Sequence, residues 1–178
     1  MIRRFLYWWT NRLPGRIISV DGKPYMERYF VMRLRGGWAV YVHRFVGSDP
    51  NPGVHNHPWR QAVSLVLAGG YEEVRLCDMS QRWMLHKKRW LHPLSINWIG
   101  PNDFHRIVMT DGQDCWTLFA HGPRSRGWGF LSRDDSGQSR FAEHVPPERD
   151  GENDRWWQMA PTGLQLRQCG QALGRVRL

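Results

Sequence analysis

The sequence predicts an all-β fold, a barrel or sandwich, and three observations predict it. Short apolar runs recur between residues 16 and 132, glycine-containing turns separate them, and few windows carry helical periodicity. The elements follow in order. Residues 2–12 read as a short amphipathic helix that Pro14-Gly15 ends, and packing on the domain explains it better than membrane anchoring. Arg16 to Val20 meets Asp21-Gly22, a two-residue hairpin signal. Tyr29 to Leu34 is followed by Gly36-Gly37 and the run Trp38 to Phe45. The turn-rich loop 47–53 leads to Ala62–Leu67, which reaches a glycine hairpin at Gly69-Gly70, and Tyr71 to Leu76 returns from it. Arg82 to Leu91, Leu94 to Trp98, Arg106 to Met109, Cys115 to Ala120 and Gly127 to Leu131 complete the strands, with Asp111-Gly112 as a further turn.

Beyond residue 132 the chain turns to Asp, Glu, Gly, Pro and Ser, which predicts an irregular tail. Trp156-Trp157 and Leu164-Gln165-Leu166 are the groups that could dock it. The expected organisation is a helical segment 1–15, a barrel 16–132 and an extension 133–178.

Composition narrows the function. The 178 residues suit one domain with a substantial core. Three widely spaced cysteines, without Cys-x-x-Cys, argue against a disulfide framework and point to a reducing, cytoplasmic setting. No run approaches the roughly 20 apolar residues of a membrane span, and the amino terminus lacks the apolar region and cleavage site of a secretory leader. A net charge of +9 suggests an anionic partner, but the arginines are scattered rather than gathered, so nucleic acid is not the favoured one. Walker, dinucleotide and Gly-x-Ser-x-Gly motifs are missing from the sequence.

The chemistry lies in histidine. His55 and His57 stand two apart, the spacing that puts both side chains on one face of a strand, and His105 follows a Gly-Pro turn. Neutral imidazole is a common ligand of divalent transition metals, and three can hold an ion with positions left open. Gln61, at the parity of His57, and Glu72 or Glu73 are candidate fourth ligands. Alternation allows only one of those two acids to face inward. Arg124 and Arg126, with Arg106 and His121, could recognise an anionic group, because guanidinium matches carboxylate and phosphate. Trp59 and Trp128 stand as aromatic contacts for a substrate. Trp59, Tyr71, Phe104 and Trp116 form an expected apolar rim. His43, His86, His92 and His144 read as surface or packing residues.

His55, His57 and Gly69, with Pro101 and His105, together resemble the cupin family. Its first motif is G-x5-H-x-H-x3-4-E-x6-G, in which the acidic position here falls on Gln61 or Ala62. Its second is G-x5-P-x-G-x2-H, matched with the spacing shortened by one residue and with Asp103 near the glycine. The string His-Asn-His-Pro-Trp, with Ser-Leu-Val-Leu-Ala-Gly-Gly-Tyr-Glu-Glu and Gly-Pro-Arg-Ser-Arg-Gly-Trp-Gly-Phe, is similar to a group of small cupin-like proteins of bacteria and their phages. The resemblance covers roughly residues 28–132. It implies a double-stranded β-helix, or jelly-roll barrel, with a divalent metal in its mouth: Fe2+ first, with Zn2+, Mn2+ or Ni2+ as alternatives.

Three functions follow as expectations. The first is a non-haem iron oxygenase-type enzyme on a small or anionic substrate. The second is a sugar or nucleotide-sugar isomerase or epimerase with a histidine base and Tyr71 as the catalytic acid. The third is a non-catalytic module for a ligand or nucleic acid. Pairing through sheet edges, as in many cupins, makes a homodimer the expected assembly.

Overall fold

A computed structural model describes residues 1–20, 22–50, 53–79, 84–110, 112–144, 155–170 and 173. Asp21 and Asp111 of the two predicted turns, the loop residues Asn51 and Pro52, and Arg82 and Trp83 of a predicted strand lie outside them. The strands are β1 (Gly15–Val20), β2 (Lys23–Arg33), β3 (Ala39–Phe45), β4 (Val54–His55), β5 (Ala62–Ala68), β6 (Tyr71–Met79), β7 (Met84–Leu91), β8 (Ile96–Ile99), β9 (His105–Val108), β10 (Cys115–His121), β11 (Gly129–Arg133) and β12 (Ser139–Glu143). They form two six-stranded antiparallel sheets, ordered β1-β2-β3-β10-β5-β8 and β12-β11-β4-β9-β6-β7. The all-β jelly roll of the sequence reading is the architecture found.

Three elements differ from expectation. Strand β2 begins at Lys23 rather than Tyr29, because pairing with β1 (Val20↔Lys23, Ile18↔Met26) extends it through residues whose polarity hides the alternation. Gly69-Gly70 is not a hairpin. It carries the chain from β5 in one sheet to β6 in the other. Gly69 has φ +76°, and a Cβ there would run into the backbone carbonyl of Asp114, so the corner needs glycine. Finally, the extension beyond 132 is partly ordered. β12 pairs along β11 (Leu131↔Phe141), and helix α2 (Gly163–Gln168) is capped by Thr162 and Gln165 in a capping box. Apolar periodicity misses these because β12 is an exposed edge strand and α2 buries little beyond Leu166.

Helix α1 (Ile2–Thr10) lies on the outer face of the first sheet, where Leu6 packs with Tyr29, Val42, Trp116 and Leu166 of α2. Leu6, Tyr29, Val42 and Trp116 are each 1% exposed or less. The tail returns to α1: Arg167 donates to Thr10 Oγ1 and Tyr7 O, both at 3.2 Å. Trp157 stacks on Phe30 at 4.2 Å, so this segment docks onto the barrel.

Beneath α1 lies a buried ion network. Arg44 reaches Glu27 at 3.1 Å and Asp114 at 2.9 Å, and Arg3 of α1 adds a second contact to Asp114 at 3.0 Å. Removing the cation would strand a fully buried Glu27 carboxylate, the costly half of a broken pair. Arg44→Ala is expected to lose about 3 kcal/mol of unfolding free energy, or roughly 10 °C in Tm, by chemical and thermal denaturation. A change below about 1 kcal/mol would contradict the network's role.

Burial alone would raise the Asp114 carboxyl, but the Arg44 hydrogen bond and charge, then Arg3, hold it below its ordinary value. A carboxyl depressed on folding stabilises above the unfolded range near pH ~4 and loses that contribution as pH falls through the folded value. Asp114→Asn should therefore flatten the loss of stability between about pH 4 and pH 2 in acid titrations.

Candidate metal centre

Strand register, not sequence distance, assembles the histidines. His55 of β4 pairs directly with His105 of β9, so the two side chains leave the sheet side by side on its inner face. His57, two residues on, keeps that face. Asn56 between them turns the other way and fixes the strand, accepting from Gly129 N at 2.8 Å while its own N–H donates to Gly129 O.

One nitrogen from each of the three rings lies within 4.8 Å of the others. His57 Nε2 and His105 Nε2 are 2.8 Å apart, close to the roughly 3.0 Å that adjacent ligands subtend at bonds of about 2.1 Å. Burial, and then the charge of neighbouring His and Arg groups, keeps His55 and His57 well below the ordinary histidine pKa. They therefore present neutral lone pairs, the form a metal requires.

Carboxylates stand behind two of the rings. Glu73 Oε1 lies 2.8 Å from His105 Nδ1, which leaves Nε2 for the cluster. Glu73 also accepts from Asn97 (2.7 Å), Arg75 (3.1 Å) and Arg89 (3.0 Å). Burial would raise this carboxyl, but the hydrogen bond and charge of His105, with Asn97 and Arg75, bring it well below its ordinary value.

His55 Nδ1 is buried without a hydrogen-bond partner, 3.7 Å from Asp49 Oδ2. That oxygen accepts from Ile107 N at 2.7 Å, which holds the loop acid against β9. Burial pushes the Asp49 carboxyl up to about 6, against the Ile107 hydrogen bond and the charge of His105 and Arg106. A metal-binding histidine usually shares its second nitrogen with such a group, and the unpaired Nδ1 of His55 fits that need. The donor set fits a divalent transition ion.

The remaining sequence candidates disperse. Gln61 is exposed and lines a surface groove with Trp38, Arg60 and Pro123, because the turn at 58–60 breaks the parity that would have carried it inward. Glu72 faces outward to Lys88 at 3.1 Å, whereas Glu73 faces inward but contacts the back of His105 rather than joining the three-nitrogen group. Tyr71 lines the cavity, its hydroxyl accepts from Asn97 at 3.4 Å, and burial pushes its pKa up.

Trp59 lines the cavity and stacks beside His57 (5.1 Å) and under His121 (4.2 Å). Trp128 lies 6.2 Å from His55 and packs on His144 at 4.2 Å. His121 Nδ1 meets Gly122 O at 2.7 Å, Arg124 bridges Trp59 through the backbone, and Arg126 donates to Asn102 at 3.0 Å. Alternation takes Arg106 to the face of β9 opposite His105, and none of these four basic side chains lines the cavity. Of the expected rim, Phe104 packs on Phe141, and Trp116 faces α1 through Tyr7 at 5.0 Å, on the other side of its sheet.

Sequence reasoning missed Asp49, which hid in a turn-rich loop, and Asn97, Arg75 and Arg89, which look like ordinary strand residues. It also missed Arg28, which lines the cavity from β2, a strand that starts earlier than the apolar pattern suggests. The alternation Met26-Arg28-Phe30 was the available signal. His43, read as a surface or packing residue, is buried in the cavity wall against Phe119 at 4.9 Å.

Fold and site together define a cupin-fold barrel with a three-histidine cluster that could hold a metal ion. No protein-family model matches the chain, and no curated protein does. Solved structures do match in fold. The polyketide cyclase RemF from Streptomyces resistomycificus is 17% identical with a TM-score of 0.53, over 71% of this chain and 84% of RemF. HppE in its Fe(II) form with the alternative substrate (S)-1-HPP is 14% identical with a TM-score of 0.50, over 64% of this chain and 57% of HppE. The chain thus spans little more than half of the HppE length. Both neighbours are cupin-fold proteins, and this chain has the cupin fold. Among the described residues no helix is long and apolar enough to cross a membrane.

Glu73 gathers one histidine, two arginines and Asn97. Glu73→Ala leaves them without a common acceptor and is expected to cost about 3 kcal/mol in urea denaturation. The loss falls at the low end because Arg75 and Arg89 keep access to water. An unchanged midpoint would show that the network contributes nothing to folding.

Proposed function

We propose that this protein is a metal-dependent enzyme in which His55, His57 and His105 hold an iron(II) ion, and that its activity is of the oxygenase type on a small, anionic substrate. The observation that carries the reading is the convergence of three ring nitrogens within 4.8 Å, with Glu73 and Asp49 behind two of the rings. Three neutral ligands leave the ion its full charge and open coordination positions, the properties that oxygen activation uses. Zinc, manganese or nickel suit the same donors and are the alternative occupants.

The chain's own residues have definite tasks. Glu73 fixes the tautomer of His105, and Asp49, 3.7 Å from His55 Nδ1, stands where a small approach would orient that ring. Trp59, Ile99 and Phe119 supply apolar wall to the cavity. The HppE structure contains Fe(II), which is consistent with this choice of metal.

A second reading, a metal-free isomerase or epimerase, draws on the Glu73–His105 contact, which would also orient a general base. It is weakened at Tyr71, whose raised pKa makes the hydroxyl a poor acid.

Metal analysis separates the two. Protein purified without added metal should carry about one iron per chain, and His55→Ala and His105→Ala should lose it while keeping far-ultraviolet circular dichroism. Folded wild-type protein that takes up no divalent metal would sink the proposal.

A further inference from the structure

The wall of the histidine cavity contains a cation with no acidic partner. Arg28 of β2 lines the same cavity as His55, His57 and His105. Its Nε donates to His43 Nε2 at 3.1 Å, and its guanidinium lies 5.6 Å from the Tyr41 ring. No carboxylate among the described residues pairs with it, and the terminal N–H groups of its fork have no protein acceptor there. Elsewhere Arg44 meets Glu27 and Asp114, and Arg75 and Arg89 meet Glu73.

Asp49, the acid that lines the same cavity, is held by Ile107 N at 2.7 Å and faces His55 Nδ1 at 3.7 Å rather than Arg28. A charge removed from water without a paired counter-ion is unfavourable, so this guanidinium favours an anion that arrives from outside. Neutral His43, which burial and the nearby Arg28 hold well below the ordinary histidine value, accepts from Nε and so aims the fork. Guanidinium binds a carboxylate through two parallel hydrogen bonds. The cavity is small, about 70 Å3, which suits a compact ligand.

We infer that Arg28 is the anchor for the carboxylate of a small carboxylic acid, held so that the rest of the molecule faces His55, His57 and His105. The identity of what it faces rests on the metal reading, whereas the anchor does not.

The test uses the full chain, metal-stripped and iron-loaded, titrated calorimetrically with acetate, with acetamide as its neutral isostere, and with inorganic phosphate. Acetate should bind wild type at least 10-fold more tightly than acetamide. Arg28→Gln should weaken acetate roughly 10–100-fold with acetamide unchanged, and Arg28→Lys should recover part of the loss. Because Arg28 strands no acid when removed, Arg28→Gln should keep or raise Tm, which a purely structural role would lower.

The Arg28-dependent preference for acetate should persist without metal, so failure of the metal reading would leave it standing. Equal binding of acetate to wild type and Arg28→Gln would overturn the inference. Tighter binding of phosphate than acetate would overturn the carboxylate assignment.

Discussion

The site depends on one buried carboxylate. Glu73 is 1% exposed and sits where β6, β7, β8 and β9 meet, with His105, Arg89 and Asn97 turned toward it and Arg75 beside it on its own strand. A lone carboxylate at that depth would take up a proton, but the donors around it keep it ionised. It thereby sets which nitrogen of His105 faces the cavity, and the β4–β9 register places His55 beside that ring. One acid thus links the order of the second sheet to the chemistry of the cluster.

The excess of arginine takes its meaning from the same arrangement. Arg44, Arg75 and Arg89 hold buried acids. Arg12, Arg16 and Arg33 lie over Trp8, Trp156 and Trp157 within 5 Å of the ring centroids. These six arginines are engaged in pairing or stacking at positions spread along the chain, which is consistent with their scatter in the sequence. Against that background Arg28, which lines the histidine cavity without an ion-pair partner among the described residues, is placed to meet a ligand.

The barrel was legible in the sequence because alternation and glycine corners are local signals. So were His55 and His57, whose spacing alone puts them on one face. What joins them to His105 is a pairing between strands fifty residues apart, which only the motif resemblance could suggest. Gln61 was misplaced because a turn at 58–60 resets parity. Gly69-Gly70 looked like a hairpin because a corner between sheets uses the same residues. Asp49, Glu73 as a supporting acid, and Arg28 are functional only through contacts across sheets, and no local pattern marks them. The acid missing from the first motif is not replaced in the three-nitrogen group. The inward-facing acid of β6 instead stands one step back, behind His105.

Anomalous diffraction from iron-loaded crystals tests this account most directly. It predicts a single ion bonded to His55, His57 and His105, with Glu73 still on Nδ1 of His105 and Asp49 drawn onto Nδ1 of His55. An ion bound elsewhere, or bound with either acid displaced from its ring, would contradict it.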